Sequence, residues 1–314
     1  MSFTNMISRG DAAALIPEDV ASDVIKRLPQ SSAALALFRH VQMSRAQQRM
    51  PVMAALPVAY FVNGDTGLKQ LTEAGWTNQF LNVEEIACIV PVPEAVLDDA
   101  AFDIWAETRP FMAEAVGRAL DAAIFFGVNK PATWPTDIVA GATASGNVVT
   151  AGTATPEEGG VYGDVSAVFS SVEGDGYDVN GIIAQRTFKG LFRNARATTG
   201  EQLDGDSGAS VPTNTVYGVN VTYPLRGLWP TGAGATEMVA GDFTQGILGI
   251  RQDMTWKLLD QAVLNDATGK IVYNLPQQDM LAIRVVARFA WTVAETPTPE
   301  NVAGAYPFAV MKGA

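Results

Sequence analysis

Between Pro93 and Gly127 the chain repeats apolar side chains at helical spacing, and no other stretch limits its possible folds as tightly. Met112, Val116, Leu120 and Ile124 recur every four residues, with Trp105, Ala115, Ala119 and Ala123 widening the stripe. That period places them on one side of a helix, a side that must be buried against other elements. The spacing predicts a helix capped at its start by Asp98 or Asp99, running to about Phe126 and ended by Gly127. At ~1.5 Å per residue, ~25 residues give a rod of roughly 37 Å. Pro110 removes one backbone donor and is expected to kink the helix or mark a break.

Around that helix the sequence alternates between extended and turn-rich segments. Residues 1–16 are polar and glycine-containing and are expected to form an extended arm. Pro17 opens a short helix to Leu28, with Glu18 and Asp19 in its first turn and Lys26 and Arg27 in its last, as the helix dipole favours. An apolar turn, Ala33 to Phe38, leads into a strand near His40 to Ser44. Two β-prone runs, Met50–Val62 and Phe80–Val92, flank the turn-rich N63-G64-D65-T66-G67, which is a hairpin signal. A two-stranded ribbon alone in water is marginal, so this one needs a partner surface. Loops and short strands are expected over 131–160, a helix over Val161–Ser171, a buried strand at Gly181–Ala184 and a basic helix over Arg186–Arg193. A glycine-rich loop (199–210) precedes β-prone runs at Val216–Tyr223 and Met238–Ala240. The last third contains a Gly-Asp turn followed by a short amphipathic element, G241-D242-F243-T244-Q245-G246-I247-L248-G249-I250-R251-Q252-D253. It ends in a long strand, Q278-D279-M280-L281-A282-I283-R284-V285-V286-A287-R288-F289-A290-W291-T292-V293.

Composition removes several classes of function. A chain of 314 residues, 48% hydrophobic and 17% charged, is globular and long enough for one large or two medium domains. Its formal charge of −12 leaves no broad basic surface for phosphates, so sequence-specific nucleic-acid binding is not expected. The single cysteine, Cys88, excludes an intrachain disulfide and a cysteine-rich zinc site, and its apolar surroundings suit a small buried hydrophobe. The N-terminus lacks the apolar core of a signal peptide, and Pro51–Val62 falls short of the ~20 residues a membrane span needs.

Few residues offer catalysis. G205-D206-S207-G208-A209 is similar to the nucleophile loop of chymotrypsin-type proteases, and His40, Asp99 and Ser207 follow that family's order. A triad needs an imidazole beside the serine. His40 is the one histidine present and lacks that family's flanking motif, and a long helix interrupts what would have to be an all-β barrel. E173-G174-D175-G176-Y177-D178 lacks the alternating oxygen ligands of a calcium loop. Glu84 and Glu85, adjacent in a strand, point to opposite faces and make a poor acid/base pair. No catalytic residue, cofactor or metal ligand is therefore expected. Arg186, Lys189, Arg193 and Arg196 lie near one helical face, either solvated or pairing with acidic neighbours.

The order of these elements resembles the major capsid proteins of tailed double-stranded-DNA bacteriophages. It rests on the hairpin, the helix ending D121-A-A-I-F-F-G127, the run G176-Y-D-V-N-G-I-I183 with its following helix, and the two strings of the last third. The resemblance implies an α+β, HK97-like fold. Residues 1–34 would be an N-terminal arm and first helix, and 50–92 an extended loop lying across a neighbouring subunit. Residues 35–49, 93–130 and 241–314 would form a peripheral domain with a spine helix, and 131–240 an axial domain. The implied function is self-assembly into pentamers and hexamers of an icosahedral head that encloses double-stranded DNA. The chain would be made in the host bacterial cytoplasm and end in the virion, without membrane contact. A separate scaffolding protein (or none), a portal and decoration proteins are the implied partners. Some relatives link a loop lysine to a neighbour's asparagine with help from a glutamate. Here Lys69 and Asn274 match, but Gln277 stands where the glutamate would fall, so no such link is expected. The alternatives are an encapsulin-type compartment shell, which an inner groove for a cargo peptide would favour, and a Ser207/His40 hydrolase.

Overall fold

The computed structural model describes residues 32–62, 67–100, 103–195, 215–224, 227–266, 268–300 and 305–313. The expected arm, the Pro17–Leu28 helix, the 199–210 loop, Arg196 and Ser207 lie outside these residues.

Two sheets organise the chain. The first has strand order β1-β10-β13-β4, built from β1 (Arg39–Gln42), β4 (Glu84–Pro93), β10 (Gly246–Leu259) and β13 (Met280–Val293). β1 runs parallel to β10, and the other two pairings are antiparallel. In β13 alternate residues face opposite ways. Ile283, Val285, Ala287, Phe289, Trp291 and Val293 enter the main core, while Arg284 and Arg288 stand on the other face and are only partly buried. Arg288 pairs there with Glu85 of β4 at 2.7 Å.

The helix α3 (Ile104–Phe126) covers the core face of this sheet. Met112, Val116, Leu120, Ala123 and Ile124 are buried in the same cluster as β13. Each fully buried aliphatic or aromatic side chain contributes about 1.5–3 kcal/mol of burial, so the helix is held by packing more than by its own propensity. Two details at its start differ from expectation. A separate short helix α2 (Glu94–Asp99) uses Asp98 and Asp99, and Asp103 caps α3 by accepting from the Trp105 and Ala106 N–H groups. Pro110 sits inside the helix without breaking it. It falls in the second turn, where it removes one donor and many further bonds maintain the helix. Gly127 ends α3 as expected, in a left-handed conformation (φ 66°) that glycine adopts without strain.

The second sheet has order β5-β14-β9-β6-β8-β7. Its strands are β5 (Val148–Thr150), β6 (Gly181–Ala184), β7 (Thr215–Val216), β8 (Val219–Thr222), β9 (Thr236–Gly241) and β14 (Phe308–Lys312). Helix α5 (Val161–Gly174) packs Val165, Val168, Phe169 and Val172 onto it, and α6 (Phe188–Asn194) adds Phe188 and Phe192. The expected loop region over 131–160 also contains a helix, α4 (Ile138–Ala144), capped by Asp137.

The chain divides differently from the sequence reading in two places. The C-terminal strand β14 lies in the second sheet, between β5 and β9, and does not return to the first with the rest of 241–314. Its run F308-A309-V310-M311 is buried throughout, as suits a strand interior to a sheet. The extended run Phe80–Val92 is also split. Residues up to Asn82 belong to the hairpin, whereas β4 is an edge strand paired residue by residue with β13. Finally, the segment after Gly241-Asp242 becomes the long strand β10, and its amphipathic pattern reflects one end in the core and one end exposed.

Candidate assembly surfaces

The hairpin strands are β2 (Gln47–Ala55) and β3 (Gly75–Asn82), paired antiparallel and shorter than the β-prone runs. Alternation gives the ribbon two unlike faces. One carries Met50, Val52, Gln79 and Leu81 toward the body. There Leu81 is fully buried with Met43, Ile247 and Ala290, and the Gln79 side-chain oxygen accepts from the Thr292 hydroxyl at 2.8 Å. The Trp134 indole N–H donates to the Asn82 carbonyl at 3.0 Å, and Asn82 donates to the Thr133 carbonyl at 3.0 Å. The hairpin is therefore anchored at its base by one small apolar cluster and three polar ties.

The other face and the far end are bare. Trp76 and Phe80 share the outer face and are exposed, and beyond the strands Phe61 and Leu71 are fully exposed and Leu68 is 91% exposed. The far end holds itself together through polar contacts: the Val58 N–H donates to the Thr72 hydroxyl at 2.8 Å, and the Tyr60 hydroxyl donates to the Gln70 carbonyl. Apolar groups so far from a core are a surface waiting for another protein. A second exposed apolar area spans Trp256 and Leu258 of β10 and the small hairpin β11 (Val263–Asn265) with β12 (Ile271–Asn274). In β12 Ile271, Val272 and Tyr273 are all exposed, so both its faces are uncovered within one chain.

The cross-linking candidates sit on these two surfaces. Lys69 is exposed on the hairpin's far end, and Asn274 ends β12. The Asn274 side-chain amide donates to Gln277 at 2.8 Å, so its partner in this chain is another amide. A neutral amide cannot take up a lysine proton at neutral pH.

The remaining candidates are dispersed. His40 is exposed on β1 and Asp99 ends α2; among the described residues no hydrogen bond joins them. The acidic turn 173–178 has a structural use. Asp175 accepts from the Asn147 amide at 2.8 Å and from the Tyr306 N–H at 3.1 Å, tying α5 to the C-terminal segment. Among the described residues no cluster of histidine, cysteine or acidic groups is arranged to hold a metal. Cys88 is partly buried, its thiol pushed up by burial. On α6, Lys189 lies 4.2 Å from the centre of the Tyr223 ring, and Arg193 donates to the Lys189 carbonyl at 3.1 Å. No helix among the described residues is long and apolar enough to cross a membrane.

The sequence shows Asp121 in the ending of the long helix but not its burial or its partners. Asp121, inside the apolar stripe of α3, is completely buried and bonded to Ser32, Ala33 and Ala34. The signal was present: a carboxylate directly after Leu120, on a helix surrounded by packing, demands donors.

Comparison with known proteins agrees with this picture. The profile of the phage capsid family matches residues 12–296. The major capsid protein of Staphylococcus phage 80alpha is 22% identical over 281 residues, spanning 88% of this chain and 81% of that protein. A solved chain from Microbacterium phage Oxtober96 superposes with a TM-score of 0.87 at 38% identity, covering 99% of this chain and 100% of that one. One from Mycobacterium phage Bobi gives 0.85 at 29% identity, with 99% of each covered. These similarities support a shell subunit and lend nothing to the compartment or hydrolase alternatives.

Proposed function

This chain belongs to the phage capsid family, a structural major capsid protein of the virion that works by associating with copies of itself, and from that premise we propose how it assembles. It forms pentamers and hexamers that close into an icosahedral head around double-stranded DNA. The hairpin lies on a neighbouring subunit, and the Trp256–Tyr273 area is covered by another. The first sheet with α3 acts as the peripheral domain, and the second sheet with α5 and α6 as the axial domain. The basic side chains of α6 pair with acidic neighbours around the ring. Subunits are made in the host cytoplasm, and portal and decoration proteins complete the particle. No residue is assigned to catalysis, a cofactor or a metal, and no covalent link joins subunits.

The observation that carries this reading is the hairpin. Its base is buried and bonded, while Phe61, Leu68 and Leu71 at its far end stand in solvent and Trp76 on its outer face is largely exposed in the single chain. A ribbon built that way is stable only when another surface covers it. Electron microscopy of the purified protein tests it: closed shells or capsomers are expected. Light scattering that finds only 33.3 kDa monomers across salt and crowding conditions would overturn it.

A further inference from the structure

The described chain begins at Ser32, and its first contact with the body is made by one side chain. Asp121 Oδ1 accepts from the Ser32 hydroxyl at 2.5 Å and from the Ala34 N–H at 3.0 Å, and Oδ2 accepts from the Ala33 N–H at 2.9 Å. Ser32 in turn accepts from the Leu35 N–H at 3.2 Å, capping α1 (Ala33–Leu37). A carboxylate on α3 thus supplies the acceptors for the start of α1, whose first N–H groups have no partner within the helix. Past α1 the chain is fixed independently, because the Phe38 ring packs 5.7 Å from both Phe125 and Phe243. Ala33 and Ala34 also sit in the main core cluster, so α1 is held by packing as well as by Asp121, and loosening Asp121 weakens the docking of α1 while Phe38 stays anchored.

No cation balances this carboxylate among the described groups. α1 carries no ionisable side chain; of the strands packed on α3, β13 presents Ile283, Val285, Phe289 and Trp291, and β4 presents Ile86, Val90 and one titratable group, the uncharged thiol of Cys88. The nearest charged residues along α3 are Glu114 and Arg118, which bond each other at 2.8 Å. Asp121 is fully buried.

We propose that Asp121 is a proton-sensitive latch for α1, which is docked more firmly when Asp121 is protonated and released more readily when it is ionised. Burial pushes its carboxyl from the ordinary 3.8 up to about 6, against the bonds from Ser32, Ala34 and Ala33, which favour the charged form. When α1 lifts away, water reaches the carboxyl and its affinity for protons falls toward the ordinary value. The closed state then binds the proton more tightly than the open one. By linkage, opening is suppressed below the ordinary value and grows as pH rises through the closed-state value, levelling off above it. The direction is opposite to that of a salt-bridged aspartate, because here burial outweighs the bonds.

Hydrogen–deuterium exchange of the peptide spanning Ala33–Phe38, measured on assembled particles and corrected for intrinsic rates, tests this. Opening is expected to increase roughly 30-fold between pH 4.5 and pH 8, with its bend near pH 6. Asp121→Asn, which cannot titrate, should abolish the dependence. Ser32→Ala removes a donor that favours the ionised form, so the bend should move to higher pH. Wild-type protection that is flat, or better at pH 8, would overturn the latch. So would an unmoved bend in Ser32→Ala, which decides the matter even where Asp121→Asn does not fold.

Discussion

Leu81→Ala and Leu120→Ala remove the same three carbons from two fully buried sites, yet they should damage different things. At about 0.8 kcal/mol per buried carbon, transfer alone accounts for about 2.4 kcal/mol in each case. A cavity that does not collapse raises the loss toward about 5 kcal/mol. Leu120 sits between α3 and β13 in the largest core cluster, where neighbours on every side resist collapse, so its loss belongs at the upper end and falls on the whole fold. Leu81 sits in a small cluster with Met43, Ile247 and Ala290 at the base of a ribbon. That ribbon can shift, so its loss belongs at the lower end and falls on hairpin docking. The measurements are thermal melting of dissociated subunits and proteolysis of the 56–74 segment. Leu120→Ala should lower the melting temperature by several degrees or yield insoluble protein. Leu81→Ala should melt close to wild type while the hairpin is cut faster and shells form poorly. If Leu81→Ala lowers melting as much as Leu120→Ala, the hairpin base is part of the cooperative core and the division between fold and assembly surface drawn here is wrong.

Replacing residues 56–74 by a short turn should leave a folded subunit, by circular dichroism, that no longer closes into shells, since Phe61, Leu68 and Leu71 find no cover among the described residues; normal shells in micrographs would remove the hairpin from the proposed clamp. Particles boiled in detergent without reductant should give a single band near 33.3 kDa, whereas a ladder that Lys69→Ala abolishes would reveal a carboxylate acting in place of Gln277. A methyl group added at Gly141 would collide with the Tyr306 ring and its Oη, so Gly141→Ala should destabilise by about 1–3 kcal/mol as an overpacked site. The Tyr306 hydroxyl is buried and finds no hydrogen-bond partner among the described residues, so Tyr306→Phe should be neutral or slightly stabilising and should rescue part of the Gly141→Ala loss in melts. A clearly destabilised Tyr306→Phe would show that the hydroxyl bonds something in the particle.

Local pattern determined the parts of this protein whose burial is periodic in sequence. The four-residue recurrence of Met112, Val116, Leu120 and Ile124 is the buried stripe of α3 because a helix puts those positions on one side. The apolar runs at Gly181–Ala184 and in β13 are strands for the matching reason, and Gly127 ends its helix because glycine tolerates the left-handed turn. What tertiary structure decided is which neighbour each strand meets. The run Phe80–Val92 reads as one extended piece, and only pairing across some 200 positions, Ile89 with Arg284 and Glu85 with Arg288, moves β4 from the hairpin into the first sheet. β14 enters the second sheet through contacts with β5 and β9, which no local period records. Asp121 is the clearest case. Its identity is visible in the sequence, but its donors come from a segment 87–89 positions away, and only the packing of α1 on α3 gives a buried charge its partners.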